Sequence, residues 1–427
     1  MLVIALSNFY FVKRQMNIFK TFLLLNVCLL YCFFSINAAQ GQTLNGKSKS
    51  RPVNQKVVLL MLDGFGVDYY RASDMPQLNK MEKEGLYKPV KSLMPSVTNV
   101  NNTSICTGEL PEKHGITGNS FFNPRTQQEE FMEDDSLVLS PTIFERAKKK
   151  DVRSMLFSSK KKTIGLLPGG TVETLSPETA SKIWTDRIGP SPDIYSREVN
   201  YWLMDAALYS MQHDTSIGLF YIHTTDYPMH TWAPESRESK EHLHKIDEYI
   251  ARIAKTLPGA MILITADHSV HHKSLCWDLQ KALAKRGIGI AIALSPERDK
   301  YFKHHRGFGG ASYVYLKKGN DPGKVAKTIM ALKGVDEVLT RSEAAKRFHL
   351  MPERIGDLMV LGDSTTVFGD LDTEMEQLPD TYRSHGSMYE TSVPLFIYNA
   401  KKIPAPAYFK FNYQIAKWLY PKAKMAF

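Results

Sequence analysis

Short apolar runs that end in turn residues are the main signal along this chain. Residues 57–62, 217–222 and 261–265 are apolar stretches of strand length, typical of strands buried on both faces of a parallel sheet. Residues 195–213 have the spacing of an amphipathic helix, residues 141–157 indicate a helix and then a strand, and residues 394–398 indicate a last strand. This alternation predicts an α/β fold with a largely parallel sheet between helices.

Carboxylates and histidines lie next to these strands. They are Asp63 after the first run, Asp226 and His230 after the second, Asp267 and His268 after the third, and His385 before the last. Ligands of open α/β sheets bind outside the carboxyl ends of the strands, so these side chains are candidates for one site. A turn aspartate before Gly64 is the alternative at the first position. The recurrence at three strands favours a site, because packing does not require it.

Thr98 is the candidate nucleophile. Residues 94–108 (MPSVTNVNNTSICTG) indicate a loop followed by a helix over residues 100–107, with the hydroxyl of Thr98 near the helix start. The free N–H groups there attract anions, and a threonine beside them can act as a nucleophile, especially with a metal ion on it. Helix capping is the ordinary role of threonine at such a position and is the alternative.

Two further loops carry candidate substrate-binding side chains. Asn119 lies in a turn-rich loop, where its amide can donate to a phosphoryl oxygen or only shape the turn. Lys160 and Lys162 follow a predicted strand and can bind a carboxylate, although a lysine triplet is usually solvated. Six other histidines are interpreted as turn, core or cap residues: His114, His223, His271, His272, His304 and His305.

Residues 276–378 repeat strand and helix signals on a smaller scale. Strands are predicted at residues 313–316, 338–339 and 358–361, and helices at 322–333 and 342–348. This segment is interpreted as a small α/β cap inserted at the catalytic face. The catalytic core would then comprise residues 56–275 and 379–427.

The first 39 residues have the features of a secretory signal peptide. Lys13, Arg14 and Lys20 precede an apolar run at residues 21–34 that ends near Ala38 and Ala39. A membrane anchor is the alternative, but the run is short for a span; a lipoprotein linked through Cys28 or Cys32 is a minor one. Met16 is an alternative start. Residues 40–55 are predicted to be a polar tail of an exported protein, periplasmic or secreted.

Charge and cysteine content narrow the partners. The formal net charge is +10, and removal of the three cations in residues 1–39 leaves 51 Lys and Arg against 44 Asp and Glu, or +7. A mildly basic exported protein suits a small anionic substrate. No basic-aromatic stripe predicts nucleic-acid binding, and no stable membrane partner is expected after signal cleavage. The oligomeric state stays open.

The ordered motifs LDGFG, PSVTNVNN, TDYPMH, ADH and SHG resemble the nucleotide pyrophosphatase/phosphodiesterase branch of the alkaline phosphatase superfamily. The mixture of carboxylate, imidazole and hydroxyl groups also suits zinc. The resemblance implies an alkaline-phosphatase-like core and two Zn²⁺ ions. It assigns one ion to Asp63, Thr98, Asp267 and His268, the other to Asp226, His230 and His385, and a phosphoryl oxygen to Asn119.

Within that branch, TNVNNTSICTG, HGITGNSFF, SSKKK and HHRGFGGASYVYL are similar to phosphonoacetate hydrolases. This resemblance implies that Lys160 and Lys162 bind a substrate carboxylate and that the carbon–phosphorus bond is cleaved through a phosphothreonine. An exported type I phosphodiesterase or nucleotide pyrophosphatase is the alternative function. A non-catalytic metal- or phosphate-binding protein on the same fold is the second alternative.

Overall fold

The computed structural model describes residues 55–300 and 306–421. Its strands are β1 (Val57–Met61), β2 (Leu86–Lys91), β3 (Ser120–Asn123), β4 (Gln128–Phe131), β5 (Arg153–Ser158), β6 (Glu173–Leu175), β7 (Ile217–His223), β8 (Met261–Thr265), β9 (His271–His272), β10 (Leu275–Trp277), β11 (Ile292–Leu294), β12 (Ala311–Tyr315), β13 (Val335–Thr340), β14 (Leu358–Gly362), β15 (Thr366–Phe368), β16 (Met375–Gln377), β17 (Arg383–Ser384) and β18 (Ser392–Tyr398).

The α-helices of the described ranges are α1 (Val67–Ala72), α2 (Pro76–Glu84), α3 (Thr98–Thr107), α4 (Pro111–His114), α5 (Ile143–Lys148), α6 (Lys161–Leu166), α7 (Lys182–Ile188), α8 (Glu198–His213), α9 (Tyr227–Thr231), α10 (Arg237–Thr256), α11 (Leu279–Lys285), α12 (Pro322–Met330), α13 (Arg341–Phe348) and α14 (Gln414–Leu419). Short 3-10 helices lie at Asp135–Leu137, Pro177–Thr179, Pro352–Arg354, Met388–Thr391 and Pro406–Tyr408.

A seven-stranded sheet forms the centre, in the order β2-β18-β8-β1-β7-β5-β6. The pairs from β8 to β6 are parallel, and β18 runs antiparallel to both of its neighbours. All five residues of β1 are buried, as expected for a central strand covered on both faces. The predicted α/β class with a largely parallel sheet is confirmed.

The helices cover the sheet through apolar stripes. Helix α10 buries Leu243, Ile246, Ile250 and Ile253, whose spacing of three and four residues places them on one face. This helix packs against α8, which packs on β7. Burial of these stripes places the main hydrophobic core on both sides of β1, β7 and β8.

The strand ends are level at one edge of the sheet. Met61, the last residue of β1, pairs with the last residues of both neighbours, His223 of β7 and Thr265 of β8. Ser158 at the end of β5 also pairs with His223. Strand β18 is antiparallel, so its beginning lies at this edge and the loop before it reaches the same place. The loops after β1, β5, β7 and β8 therefore meet.

Smaller sheets occupy the segment between β9 and β17. Strands β11, β12, β14 and β13 form an antiparallel sheet in that order, and β10 lies between β15 and β16. The first of these sheets packs with α11 and α12 around apolar side chains such as Val314, Ile329 and Val360. The division into a core and an inserted cap stays a prediction.

Element boundaries differ little from the expectations for apolar strands. Strand β8 has the predicted bounds, whereas α3 begins at Thr98, two residues earlier than predicted, and α8 begins at Glu198. The predicted signal peptide, residues 40–54 of the polar tail, His304 and His305 lie outside the described residues. None of the described helices combines the length and the apolar character needed to cross a membrane.

The central position of β1 leads to a stability prediction. Leu60 is fully buried in this strand, so Leu60→Ala should lower the free energy of unfolding by about 2–5 kcal/mol. Leu139→Ala is the matched control, because Leu139 is 54% exposed, and it should change stability by less than about 0.5 kcal/mol. Urea unfolding followed by circular dichroism measures both. Equal losses in the two variants would contradict the placement of β1.

Candidate metal centre

The sheet edge brings the predicted carboxylates and histidines together. Two groups of side chains have ligand atoms within 4.8 Å of one another: Asp63, Asp267 and His268, and Asp226, His268 and His385. His230 joins the second group through its Nε2, which lies 3.0 Å from Asp226 Oδ2. All six side chains are buried. His268 lies in both groups, and the division of ligands between two ions stays a prediction.

Backbone carbonyls orient the three histidine rings. The Nδ1 atoms of His230, His268 and His385 lie 2.8, 3.1 and 2.9 Å from the carbonyl oxygens of Arg383, Ser269 and Ser96, respectively. A carbonyl oxygen only accepts, so each Nδ1 carries a proton and donates it, and Nε2 is the ring nitrogen that faces the site. The rings of His268 and His385 stack with centroids 3.6 Å apart.

Gly64 allows the loops after β1 and β7 to approach each other. Its φ of +73° is in the left-handed region, and a Cβ there would lie 3.0 Å from the Cβ of Asp226. Its N–H donates to Asp267 Oδ1 at 3.2 Å, which fixes one side of that carboxylate. The glycine after Asp63 thus sets the spacing between carboxylates of the two groups.

Lys160 lies between the two groups of carboxylates. Its Nζ is 2.6 Å from Asp63 Oδ2 and 2.9 Å from Asp226 Oδ1. Burial would lower the pKa of this lysine, but the charges of Asp226 and Asp63 raise it well above the ordinary value. Its ammonium therefore stays charged and offsets part of the repulsion between the carboxylates.

The remaining acids show that the site holds more negative charge than Lys160 offsets. Burial and the charge of Asp63 raise the pKa of Asp267 well above its ordinary value. Burial also raises the pKa of Glu297 to about 8, despite the nearby Lys162. Glu297 Oε1 lies 3.6 Å from His385 Nε2, so it faces the same space. Such an excess of buried carboxylate is what divalent cations stabilise.

Thr98 faces this site and does not cap its helix. The N-cap residue of α3 is Val97, with no side-chain capping hydrogen bond, and Thr98 is the first helical residue. Its Oγ1 lies 3.4 Å from His268 Nε2, and the residue is 2% exposed. The capping alternative is therefore wrong, and the hydroxyl is positioned beside the candidate metal ligands.

Asn119 and Lys162 lie near the site with protein partners of their own. The amide of Asn119 donates from Nδ2 to the carbonyl oxygen of Glu297 at 3.1 Å, and its Oδ1 makes no hydrogen bond to a described residue. Lys162 forms a short ion pair with Asp299. Lys160, Lys162, Asp299 and Glu297 line a cavity of about 490 Å³. Contacts of Asn119 and the lysines with substrate stay predictions.

The donor set fits divalent metal ions. Asp63 Oδ1 and Asp267 Oδ2 are buried and make no hydrogen bond to a described residue. Buried carboxylate oxygens of this kind are costly unless a cation or donor satisfies them. Carboxylates with neutral imidazole nitrogens are ligands that zinc accepts, which agrees with the resemblance.

A model of the type I phosphodiesterase / nucleotide pyrophosphatase family matches residues 57–388. The chain belongs to this family. Two curated relatives are bis(5'-adenosyl)-triphosphatases. The enzyme of Bos taurus is 28% identical over 238 residues, which cover 53% of this chain and 49% of that protein. The enzyme of Mus musculus is 25% identical over 273 residues, which cover 60% of this chain and 56% of that protein. The chain spans about half the length of these curated relatives.

Solved structures of the superfamily cover more of the chain. Phosphonoacetate hydrolase from Sinorhizobium meliloti 1021, solved with phosphonoacetate, is 28% identical with a TM-score of 0.76, covering 85% of this chain and 95% of that one. Murine ectonucleotide pyrophosphatase/phosphodiesterase 5 has a TM-score of 0.64 at 17% identity, covering 86% and 94%, and shares the fold. The predicted alkaline-phosphatase-like fold and family are confirmed.

Three side chains near the site were not predicted to lie there. His223 was interpreted as structural, yet its Nε2 lies 3.0 Å from Asp63 Oδ2. Its position at the end of an apolar strand, three residues before Asp226, was the available signal. Glu297 and Asp299 carried no sequence signal, because they follow a short strand, β11, that the pattern did not predict.

An ion network supports the loop that carries His385. The buried carboxylate of Glu390 lies 2.8 Å from Lys273 Nζ and accepts from the backbone N–H of Ser387 at 2.9 Å. His271 lies between Glu390 and Asp68, at 3.4 and 3.5 Å. Burial would lower the pKa of His271, but hydrogen bonds to Asp68 and Glu390 raise it to about 9.

This network predicts a pH-dependent stability. A histidine whose pKa rises from 6.5 to about 9 on folding stabilises the protein fully below pH 6.5 and loses that contribution as pH rises through 9. His271→Gln should therefore lower the melting temperature more at pH 6 than at pH 9.5. His213→Gln, at an exposed histidine far along α8, is the control. An equal loss at both pH values would show that His271 is not charged in the folded protein.

Proposed function

We propose that this protein is a zinc-dependent hydrolase of phosphonoacetate that yields acetate and phosphate through a phosphothreonine at Thr98. The observation that carries this proposal is the lysine pair: Lys160 and Lys162 line a cavity next to the candidate metal groups. The solved phosphonoacetate hydrolase supports it, since the matched region covers 95% of that enzyme's chain. We also propose the ligand division that the family resemblance implies.

Zinc ions bound at these side chains would neutralise charge on the phosphoryl oxygens and lower the pKa of the Thr98 hydroxyl. Thr98 is the first residue of α3, and the free N–H groups at a helix start favour anionic oxygens. The amide of Asn119 has a second N–H besides the one that it donates to Glu297, and this N–H would donate a hydrogen bond to a phosphoryl oxygen. Thr98 is thereby held next to an electrophilic phosphorus atom.

In the first half of the reaction, Thr98 Oγ1 forms a bond to phosphorus while the phosphorus–carbon bond breaks. The electron pair of that bond moves to the methylene carbon and is delocalised into the carboxylate, giving an enolate-like group. Ammonium groups near the carboxylate stabilise this charge, which is the role of Lys160 and Lys162. The carbon then takes a proton from water, the hydroxide so formed combines with the proton that the Thr98 hydroxyl has lost, and acetate leaves.

In the second half, a water oxygen forms a bond to phosphorus and the bond to Thr98 Oγ1 breaks. The threonine recovers a proton from that water, and phosphate leaves. The buried position of Thr98, at 2% exposure, restricts which water reaches the phosphothreonine. The site residues thus return to their starting protonation states.

Both lysines form ion pairs with carboxylates of the protein. Cations bound at Asp63 and Asp226 would repel the Lys160 ammonium, and because Lys160 lines the cavity, we expect its ammonium to turn to a substrate carboxylate there. Lys162 is held by Asp299 at the cavity wall. This ion pair keeps the second ammonium in place without filling the cavity.

The alternative function is an exported type I phosphodiesterase or nucleotide pyrophosphatase. The family match favours it, as does a cavity of 490 Å³ whose wall includes Tyr195, since such a volume accommodates a ligand larger than phosphonoacetate. We further propose export through residues 1–39, the cap at residues 276–378, and a small anionic substrate.

The nucleophile assignment predicts that Thr98→Ala loses hydrolysis of both phosphonoacetate and a nitrophenyl phosphodiester by roughly 10³-fold or more. Thr103→Ala is the control, because Thr103 lies in the middle of the same helix and its hydroxyl makes no hydrogen bond to a described residue. Phosphate and nitrophenol release by zinc-loaded protein measure the two activities. Retained activity in Thr98→Ala would exclude the phosphothreonine.

The lysine assignment predicts a substrate-selective loss. Lys162→Met should lower kcat/KM for phosphonoacetate by roughly 10- to 100-fold, the effect of losing a charged hydrogen bond, and leave the nitrophenyl diester nearly unchanged. Lys161→Met is the control, because Lys161 begins the same helix, α6, and lies on the same cavity wall. Hydrolysis of the diester alone by the wild type would instead establish the phosphodiesterase alternative.

A further inference from the structure

His223 is the last residue of β7 and lies between strand ends that carry site residues. It pairs in register with Met61, two residues before Asp63, and with Ser158, two residues before Lys160. The side chain is fully buried. A polar ring at this place contacts the metal-binding carboxylate on one side and the lysine loop on the other.

The surrounding hydrogen bonds determine which nitrogen of the ring carries the proton. The hydroxyl of Tyr221 donates to Asn102 Oδ1. The amide nitrogen of Asn102 therefore faces the ring and donates to His223 Nδ1, at 3.1 Å. On the other side of the ring, Nε2 faces a carboxylate oxygen, which only accepts, so the proton of the neutral ring is on Nε2 and Nδ1 accepts. Nε2 then donates to Asp63 Oδ2, at 3.0 Å.

This arrangement gives the two oxygens of Asp63 different surroundings. Oδ2 receives the His223 proton and lies 2.6 Å from the Lys160 ammonium. Oδ1 makes no hydrogen bond to a described residue and lies 3.5 Å from His268 Nε2, in the first candidate ligand group. The imidazole thus holds one oxygen and leaves the other for a metal ion.

The same ring is linked to the lysine loop. Ser158 Oγ lies 2.9 Å from His223 Nδ1 and accepts the backbone N–H of Lys160 at 3.1 Å. A change in the ring position therefore affects both the carboxylate of Asp63 and the first residue of the lysine pair.

We propose that His223 is a positioning residue that holds Asp63 through Oδ2, so that Asp63 binds metal through Oδ1 alone, and that it couples this ligand to the Lys160 loop. The inference rests on the proposed function, because it requires Asp63 to be a metal ligand. Partners behind metal ligands commonly change metal affinity by about 10- to 100-fold when they are removed. His223 itself is not a ligand, since both ring nitrogens are engaged.

Zinc affinity tests this role without reference to activity. His223→Leu removes the donor at similar volume, and His223→Gln retains an N–H donor. Competition with a zinc chelator of known affinity should show about 10- to 100-fold weaker binding of one zinc ion in His223→Leu, with most of that loss recovered in His223→Gln. His242→Leu is the control, because His242 is a buried histidine of α10 that contacts Tyr201 of α8.

Each outcome decides the inference. Equal zinc affinities of wild type and a folded His223→Leu variant would overturn it while leaving the metal centre intact. A wild type that binds no zinc would overturn both the inference and the proposed function. If His223→Leu does not fold, ¹⁵N NMR of histidine-labelled wild type, with His223→Gln for assignment, should show an Nε2–H ring, and an Nδ1–H ring would overturn the inference.

Discussion

Repulsion among buried carboxylates is the constraint on which this structure depends. Asp63, Asp226 and Asp267 are brought to one edge because β1, β7 and β8 end level with one another. Burial of like charges is costly, and each carboxylate here is stabilised by specific neighbours: Lys160 for two of them and backbone N–H groups for Asp267. The site is therefore arranged before any ligand arrives.

Three histidines, His230, His268 and His385, add ring nitrogens to the site without adding negative charge. The orientation of these three rings depends on carbonyl oxygens of two loops and of strand β17, so none of the three rings turns independently of the backbone. A cation entering the site would meet ring nitrogens that already face inward, so its binding would require little reorganisation. Main-chain contacts thus orient the histidines, whereas ion pairs between side chains position Lys160 and Lys162.

Much of this arrangement could be predicted from the sequence, since apolar runs identify central strands and the residues after them identify the edge. Strand β8 was predicted with its exact bounds for that reason. Strands β2 and β6 were missed because edge strands of mixed polarity lack the apolar run. The contact of His223 with Asp63 depends on the register between β1 and β7, which are adjacent in the sheet but far apart in the sequence. Hydrophobic periodicity does not contain this register. The role of Lys160 likewise depends on a distance that no motif encodes.

The antiparallel strand at the edge of the parallel set has a consequence for the order of assembly. Since β18 starts at the site, the loop before it supplies His385, while Asp63 comes from the first described strand. The first ligand group, with Asp63, Asp267 and His268, is therefore present earlier along the chain than the second group, which needs His385. During synthesis, the central strands would therefore be available before the second ligand group is complete, and a cation that needs His385 could bind only after most of the described chain has been made.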